Sequence, residues 1–177
     1  MEILAIRFSG MGDIVMLLQT FQKLKQKYAN ARITLLCDSA NVDIAKNSGG
    51  LIDEVVTLDR GVFKAKKFWA ILKEITQLFV LRKKQFDLII DFQNFGETAL
   101  ITNLCKAQEK RGAPKKKNKE YAYTTIVPRD ESGHRSQFFS RIAGVDDSLD
   151  FSKMVLSETA KTYSTLMKTK LNLNKKR

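Results

Sequence analysis

One short stretch near the amino terminus gathers residues able to do chemistry. Ser9-Gly10-Met11-Gly12-Asp13 follows an apolar run and precedes a segment with helical spacing. Glycines there let the backbone approach a ligand, and a helix amino terminus favours anions. Asp13 adds a carboxylate and reads in two ways. It is either an N-cap that satisfies helix amides, or a general base beyond the carboxyl end of the first strand, where open α/β sheets bind ligands. The stretch is not a complete dinucleotide fingerprint. Gly10 and Gly12 fit, but the third glycine position is Val15, and Asp13 puts negative charge where a pyrophosphate would sit. No cofactor is expected.

A second polar group follows another apolar run. Asp91 ends the segment Phe86-Asp87-Leu88-Ile89-Ile90-Asp91, and Gln93 and Asn94 come next. At a sheet edge these side chains either bind a hydroxyl-rich ligand or do the ordinary turn chemistry of Asp and Asn. His134 is the sole histidine and the cysteines are two, Cys37 and Cys105, each in apolar context. That set does not make a metal site or a disulfide framework, so the cysteines read as small buried hydrophobes and no metal is expected. No Gly-x-Ser-x-Gly elbow or Walker loop is present.

The net charge is +12, which favours anionic partners. Two basic clusters carry much of it. The first runs from Arg60 through Lys64, Lys66, Lys67 and Lys73 to Arg82, Lys83 and Lys84, with Glu74 as the only acid between them. Its middle reads as an amphipathic helix packed on a sheet. Its ends, with Phe63 or Trp69, could touch an anionic membrane surface. The second cluster holds Lys106, Lys110, Arg111, Lys115, Lys116, Lys117 and Lys119, and reads either as a solubilising loop or as a phosphate site. The second cluster has no aromatic interleaving and no helix-turn-helix, so specific nucleic-acid recognition is not supported beyond raw charge. Binding by charge alone would show steep salt dependence and no sequence preference.

The elements that must position these residues alternate. Strands are expected over 3–8, 32–37, 54–58, 86–91, 109–112 and 124–127. Helices are expected over 14–28, 40–47, 65–84, 97–106, 132–143 and from 157 to about residue 171, with a mobile polar loop over 113–123. Parallel strands need crossovers and helices supply them, so the pattern predicts an α/β fold: a Rossmann-like parallel sheet with helices on both faces. Apolar residues at 44% and charged residues at 28% suit a globular chain, and 177 residues suit one domain, or one plus an appendage. No apolar run is long enough for a transmembrane helix, and the start is strand-like rather than a signal peptide. The cytoplasm is the expected location.

Ile3-Leu4-Ala5-Ile6-Arg7-Phe8-Ser9-Gly10-Met11-Gly12-Asp13-Ile14-Val15 resembles the opening of glycosyltransferase family 9, the ADP-heptose:lipopolysaccharide heptosyltransferases. Ala31 to Leu36, Ile52 to Val56, Phe86 to Asn94, Thr98-Ala99-Leu100 and Lys110-Arg111-Gly112 are similar to later motifs of that family, in the same order. Tyr123 and His134 stand where the family carries Tyr and His. Gln19 departs from a usual Pro, and Thr98 from a usual Ser.

The resemblance implies the N-terminal, acceptor-binding half of a two-domain GT-B enzyme, with residues 1–156 as the Rossmann-like domain. Residues 157–177 would be a connecting helix and tail toward a nucleotide-sugar domain beyond this chain. It implies inverting transfer in lipopolysaccharide core biosynthesis. Asp13 would be the catalytic base and Gly10, Gly12, Arg60, Lys64, Gln93, Asn94 and Arg111 would be acceptor-side residues. The acceptor would be a lipid A-linked acidic saccharide, met at the inner face of the membrane. The donor would be a nucleotide-sugar such as ADP-heptose, bound only with the second domain, so this chain alone is expected to be inactive. The alternative is a non-catalytic binding module for an anionic lipid or polysaccharide.

Overall fold

The computed structural model of the chain describes residues 1–8, 10–59, 68–130 and 132–148, and positions 161, 162 and 165; the side chains of 68–74 are not among those described. Six strands form one sheet, all parallel, in the order β3-β2-β1-β4-β5-β6. The strands are β1 Glu2–Ile6, β2 Arg32–Cys37, β3 Glu54–Thr57, β4 Gln85–Asp91, β5 Lys106–Gly112 and β6 Thr125–Ile126. The helices are α1 Met11–Lys27, α2 Val42–Lys46, α3 Phe68–Lys83, α4 Gly96–Leu104 and α5 Arg135–Ala143. The strand order reverses between β1 and β4. A crevice opens at such a switch point, outside the carboxyl ends of the strands.

Strand β1 shows why a run with apolar residues at every position forms a central strand. Successive side chains point to opposite faces, and a sheet covered on both sides must bury both sets. Ile3 and Ala5 pack with Ile14, Leu17, Phe21 and Leu24 of α1, Ala45 of α2, and Phe138, Phe139 and Ile142 of α5. Leu4 and Ile6 point the other way and pack with Leu78 and Leu81 of α3 and Ile101 of α4. The expected helices on both faces are therefore present. Cys37 and Cys105 are buried and unpaired, and loss of solvation pushes both thiols up to about 11. They are inert apolar filling.

Three expectations are corrected. Strand β5 begins at Lys106 rather than 109, and α4 ends at Leu104 rather than 106; β5 is held in register by pairs from Gln85↔Lys106 to Asp91↔Gly112. The stretch 113–123, read as a mobile polar loop, contains a 3-10 helix over Lys117–Ala122. Ala122 and Tyr123 pack against Ala99 of α4, which anchors it. Of the helix expected from 157 onward, the described positions Lys161, Thr162 and Thr165 are helical; the rest of that expectation lies outside the described residues.

Candidate functional site

The site is built on the turns that leave β1 and β4, the two strands at the switch point. Arg7 extends β1, its amide bonding Leu36 O at 2.9 Å. The chain then turns through Gly10, at φ +87°, into α1. A Cβ on Gly10 would lie 2.6 Å from Oδ2 of Asp13, so only glycine leaves room for that carboxylate. Gly12 is different, with open space where its Cβ would be.

Asp13 lies in the first turn of α1, whose N-cap is Gly10, and no side chain among the described residues caps the helix. The N-cap reading therefore fails. The carboxylate instead pairs with two arginines, Arg7 six residues earlier and Arg135 far along the chain. Nη2 of Arg7 bonds Oδ2, and Nε of Arg135, the first residue of α5, lies 3.1 Å from Oδ1. The Asp13 side chain keeps 15% of its surface open. Arg7 itself is buried, and its Nη1 donates to Phe92 O at 2.7 Å. Burial pushes the Arg7 guanidinium's pKa down and the Asp13 charge opposes it. The Phe139 ring carries both guanidiniums, at 5.5 Å for Arg7 and 5.7 Å for Arg135. Beneath the site, Phe92 meets Phe21 and Phe139 edge-on, which makes a rigid apolar floor.

The position of Arg135 depends on His134. Its Nδ1 accepts from the Ser136 amide at 3.2 Å, and Gln137 Oε1 accepts from the His134 amide at 3.0 Å. The one histidine thus caps α5 and starts that helix where its first side chain reaches Asp13.

On the β4 side, Asp91 is fully buried. It accepts from the amides of Gln93 at 2.9 Å and Asn94 at 2.8 Å, and from the Tyr123 hydroxyl at 2.7 Å. Burial pushes its carboxyl above the usual range, against the pull of these bonds. Burial likewise raises the Tyr123 phenol, with the Asp91 charge adding to it. The turn holds Asn94 at φ 58°, and Asn94 Oδ1 accepts from the Ala113 amide. Thr98 Oγ1 takes the Phe95 amide at 3.0 Å and so starts α4.

These pieces enclose a cleft of about 400 Å³ at the strand ends, lined by Arg7, Asp13, Gln93, Asn94, Phe95, Lys115, Arg129 and Arg135 over Phe92, Phe138 and Phe139. The structure thus brings Asp13, Gln93 and Asn94 together, with Gly10 at the turn's base. Arg111 is not brought there. Its Nε bonds Glu109 at 2.7 Å and its Nη1 bonds Ala143 O at 2.9 Å, which ties β5 to the end of α5. Arg60 and Lys64 lie outside the described residues. Sequence reading missed Arg7, Arg129 and Arg135 and left Lys115 within an undivided cluster. The one available signal was Arg7, a charge at the carboxyl end of an otherwise apolar run. A larger groove, about 560 Å³, lies between α1 and the segment after α5; it does not include Asp13. Among the described residues no group of three or more His, Cys, Asp or Glu is placed to hold a metal ion.

The sequence matches no protein-family model and no curated relative. Solved structures do match. E. coli heptosyltransferase WaaC with ADP superposes with a TM-score of 0.75 at 17% identity, over 85% of this chain and 50% of that one. E. coli ADP-heptose lps heptosyltransferase II gives 0.71 at 16%, over 94% and 50%. The glycosyl transferase family 9 protein of Veillonella parvula gives 0.71 at 15%, over 98% and 50%. The fold is that of half a GT-B glycosyltransferase. The chain spans about half the length of each matched structure, and in this half-fold the cleft stands at the mouth of the sheet.

Proposed function

We propose that this chain is the acceptor-side half of a heptosyltransferase-like glycosyltransferase of lipopolysaccharide core assembly. The observation that carries the reading is Asp13: a partly open carboxylate at the switch point, excluded from capping its own helix and held by Arg7 and Arg135. Its motif resembles that of glycosyltransferase family 9, and the half-fold is that of such enzymes.

In this reading a hydroxyl of the acceptor saccharide meets Asp13. Its proton passes to the carboxylate, and the oxygen attacks the anomeric carbon of a nucleotide-sugar such as ADP-heptose. The bond from that carbon to the diphosphate breaks, and the configuration inverts. Arg7 and Arg135 keep the carboxylate aimed at the cleft. Lys115 and Arg129 meet phosphate or carboxylate groups of a lipid A-linked acceptor through charge-assisted hydrogen bonds. Gln93 and Asn94 meet its hydroxyls. In this reading the donor is bound by a second domain, as the family resemblance implies, and reaction needs both sugars positioned together.

The test supplies the chain with a complementary donor-binding half and measures transfer from ADP-heptose to a Kdo-lipid A acceptor. Asp13→Asn is expected to lower the rate by about 10²–10⁴-fold, the ordinary contribution of a general base, with acceptor binding retained. An unchanged rate removes Asp13 as the base. Turnover of ADP-heptose by the 177-residue chain alone would overturn its assignment as one half. Acceptor binding that never leads to transfer would favour a non-catalytic module for anionic saccharides.

A further inference from the structure

Helices α3 and α4 bury one side against the sheet, through Leu81 and Ile101. A helix in that position should turn polar residues outward. These two do not. On α3, Ile75 and Phe79 are 37% and 54% exposed; on α4, Leu100 and Leu104 are 52% and 43% exposed. Each pair is spaced i, i+4, so each forms a row on one helix face. Between the helices lies a groove of about 170 Å³, lined by Ile75, Leu78, Phe79, Ile101, Leu104 and Cys105, with Arg82 the one charged residue among the described residues. Single exposed apolar residues are ordinary, but adjoining rows of them mark an interaction surface.

The charges beside the groove identify the partner. Arg82 and Lys83, on the last turn of α3, and Lys106, just beyond α4, are all exposed. Glu97 is the acid exposed on α4, two turns from Leu104 toward the cleft. We propose that this face is a docking surface for an anionic lipid bilayer, with Phe79, Ile75, Leu100 and Leu104 entering the acyl boundary and Arg82, Lys83 and Lys106 meeting headgroup phosphates. An apolar centre with a cationic rim fits that boundary. A second copy of the chain fits it less well, because an isologous contact sets each patch against itself and collects the cations of both in one rim. No helix among the described residues is long and apolar enough to cross a membrane, so the contact is peripheral. Exposed Phe95 lines the cleft and immediately precedes α4, so one helix runs from the cleft to the docking face. The proposal goes beyond the acceptor reading and needs no catalytic role for Asp13.

Flotation of the 177-residue chain with phosphatidylglycerol–phosphatidylethanolamine vesicles tests it, with phosphatidylcholine vesicles as the neutral control. The chain is expected to float with the anionic vesicles. The double variant Phe79→Ser/Leu104→Ser should lower partitioning about tenfold or more. Arg82→Glu/Lys83→Glu, which removes no buried group, should do the same by about tenfold or more. Both should keep the wild-type circular dichroism, and Asp13→Asn should float unchanged. Absence of flotation, or wild-type flotation by both double variants, overturns the surface without touching the transfer reading. So does a soluble, deacylated acceptor saccharide that strips the chain from vesicles, since the cleft would then be what holds it. If Phe79→Ser/Leu104→Ser splits a dimer without changing flotation, the face joins copies of the chain instead.

Discussion

Two aspartates stand near the carboxyl ends of neighbouring parallel strands, and the fold uses them in opposite ways. Asp91 is fully buried, and two of its donors are the amides of its own turn. Asp13 is partly open, takes nothing from the amides of its own helix, and meets guanidiniums from β1 and from α5. A carboxylate satisfied by local amides fixes a turn. One satisfied by side-chain cations, one of them exposed, beside a cleft, is available to a ligand. Residue type and sheet position do not separate the two; the source of the hydrogen bonds does.

Breaking the Asp91 side should cost the most stability. Asp91→Ala leaves the Gln93 and Asn94 amides and the Tyr123 hydroxyl without their acceptor, and each buried unsatisfied donor costs about 1–3 kcal/mol. Allowing for relaxation, the loss should be about 3–5 kcal/mol. At about 2–4 °C per kcal/mol for a chain of this size, the thermal midpoint should fall by about 10 °C. A fall of less than about 2 °C in a thermal melt would mean that Asp91 does not hold the turn. On the Asp13 side, Gly10→Ala combines φ +87° with a Cβ 2.6 Å from Oδ2. Such strain costs about 1–3 kcal/mol. Because the carboxylate itself must move, transfer in the complemented assay should fall further than the melt alone explains. A variant that melts early yet transfers normally would detach Gly10 from the chemistry.

A pH series sharpens the contrast with a smaller effect. Burial raises the Asp91 carboxyl above its unfolded value of 3.8. The folded state therefore binds this proton more tightly than the unfolded chain does. Its stabilising contribution is complete below 3.8 and is lost as pH rises through the folded value. Asp91→Asn keeps an acceptor for the turn amides but cannot titrate. Urea unfolding from about pH 4 to about pH 7 should show wild-type stability falling relative to this variant. Parallel curves would mean that the folded and unfolded pKa values coincide.

The same contrast explains what could be read from sequence. The parallel sheet was legible because a strand buried on both faces must be apolar at successive positions, as Ile3 to Ile6 are. Strand β5, Lys-Ala-Gln-Glu-Lys-Arg-Gly, lies nearer the sheet edge with most positions half-buried, so its polar residues hid its true start at Lys106. The lysines of 115–119 likewise hid the buried Ala122 and Tyr123 that anchor the following turn. Asp13, Gln93 and Asn94 were legible because glycine-rich and Asx turns announce strand ends. Their ion-pair and cleft partners were not. Arg135 meets Asp13 only because α5 crosses the sheet face beside α1, a contact between residues far apart in the chain. Arg111, in a motif similar to the family's, pointed the reading toward the cleft, while its side chain is turned to the far end of α5.

The smallest effect belongs to Arg135, and it tests whether the Asp13 cluster is assembled for binding rather than for stability. Its side chain is 55% exposed, so solvent screens the pair and the exposed partner contributes little, about 0.5 kcal/mol or less. Arg7 remains on Oδ2, and its bond to Phe92 O keeps β1 joined to the β4 turn. Arg135→Gln should therefore leave the thermal midpoint within about 2 °C of wild type. In the complemented transfer assay it should raise the acceptor KM several-fold, because a cation is lost from the cleft while the base is retained. A midpoint loss approaching that of Asp91→Ala would show instead that Arg135 pins α5 to the sheet. Asp13 would then be a structural tie like Asp91, and the two carboxylates would differ in exposure alone.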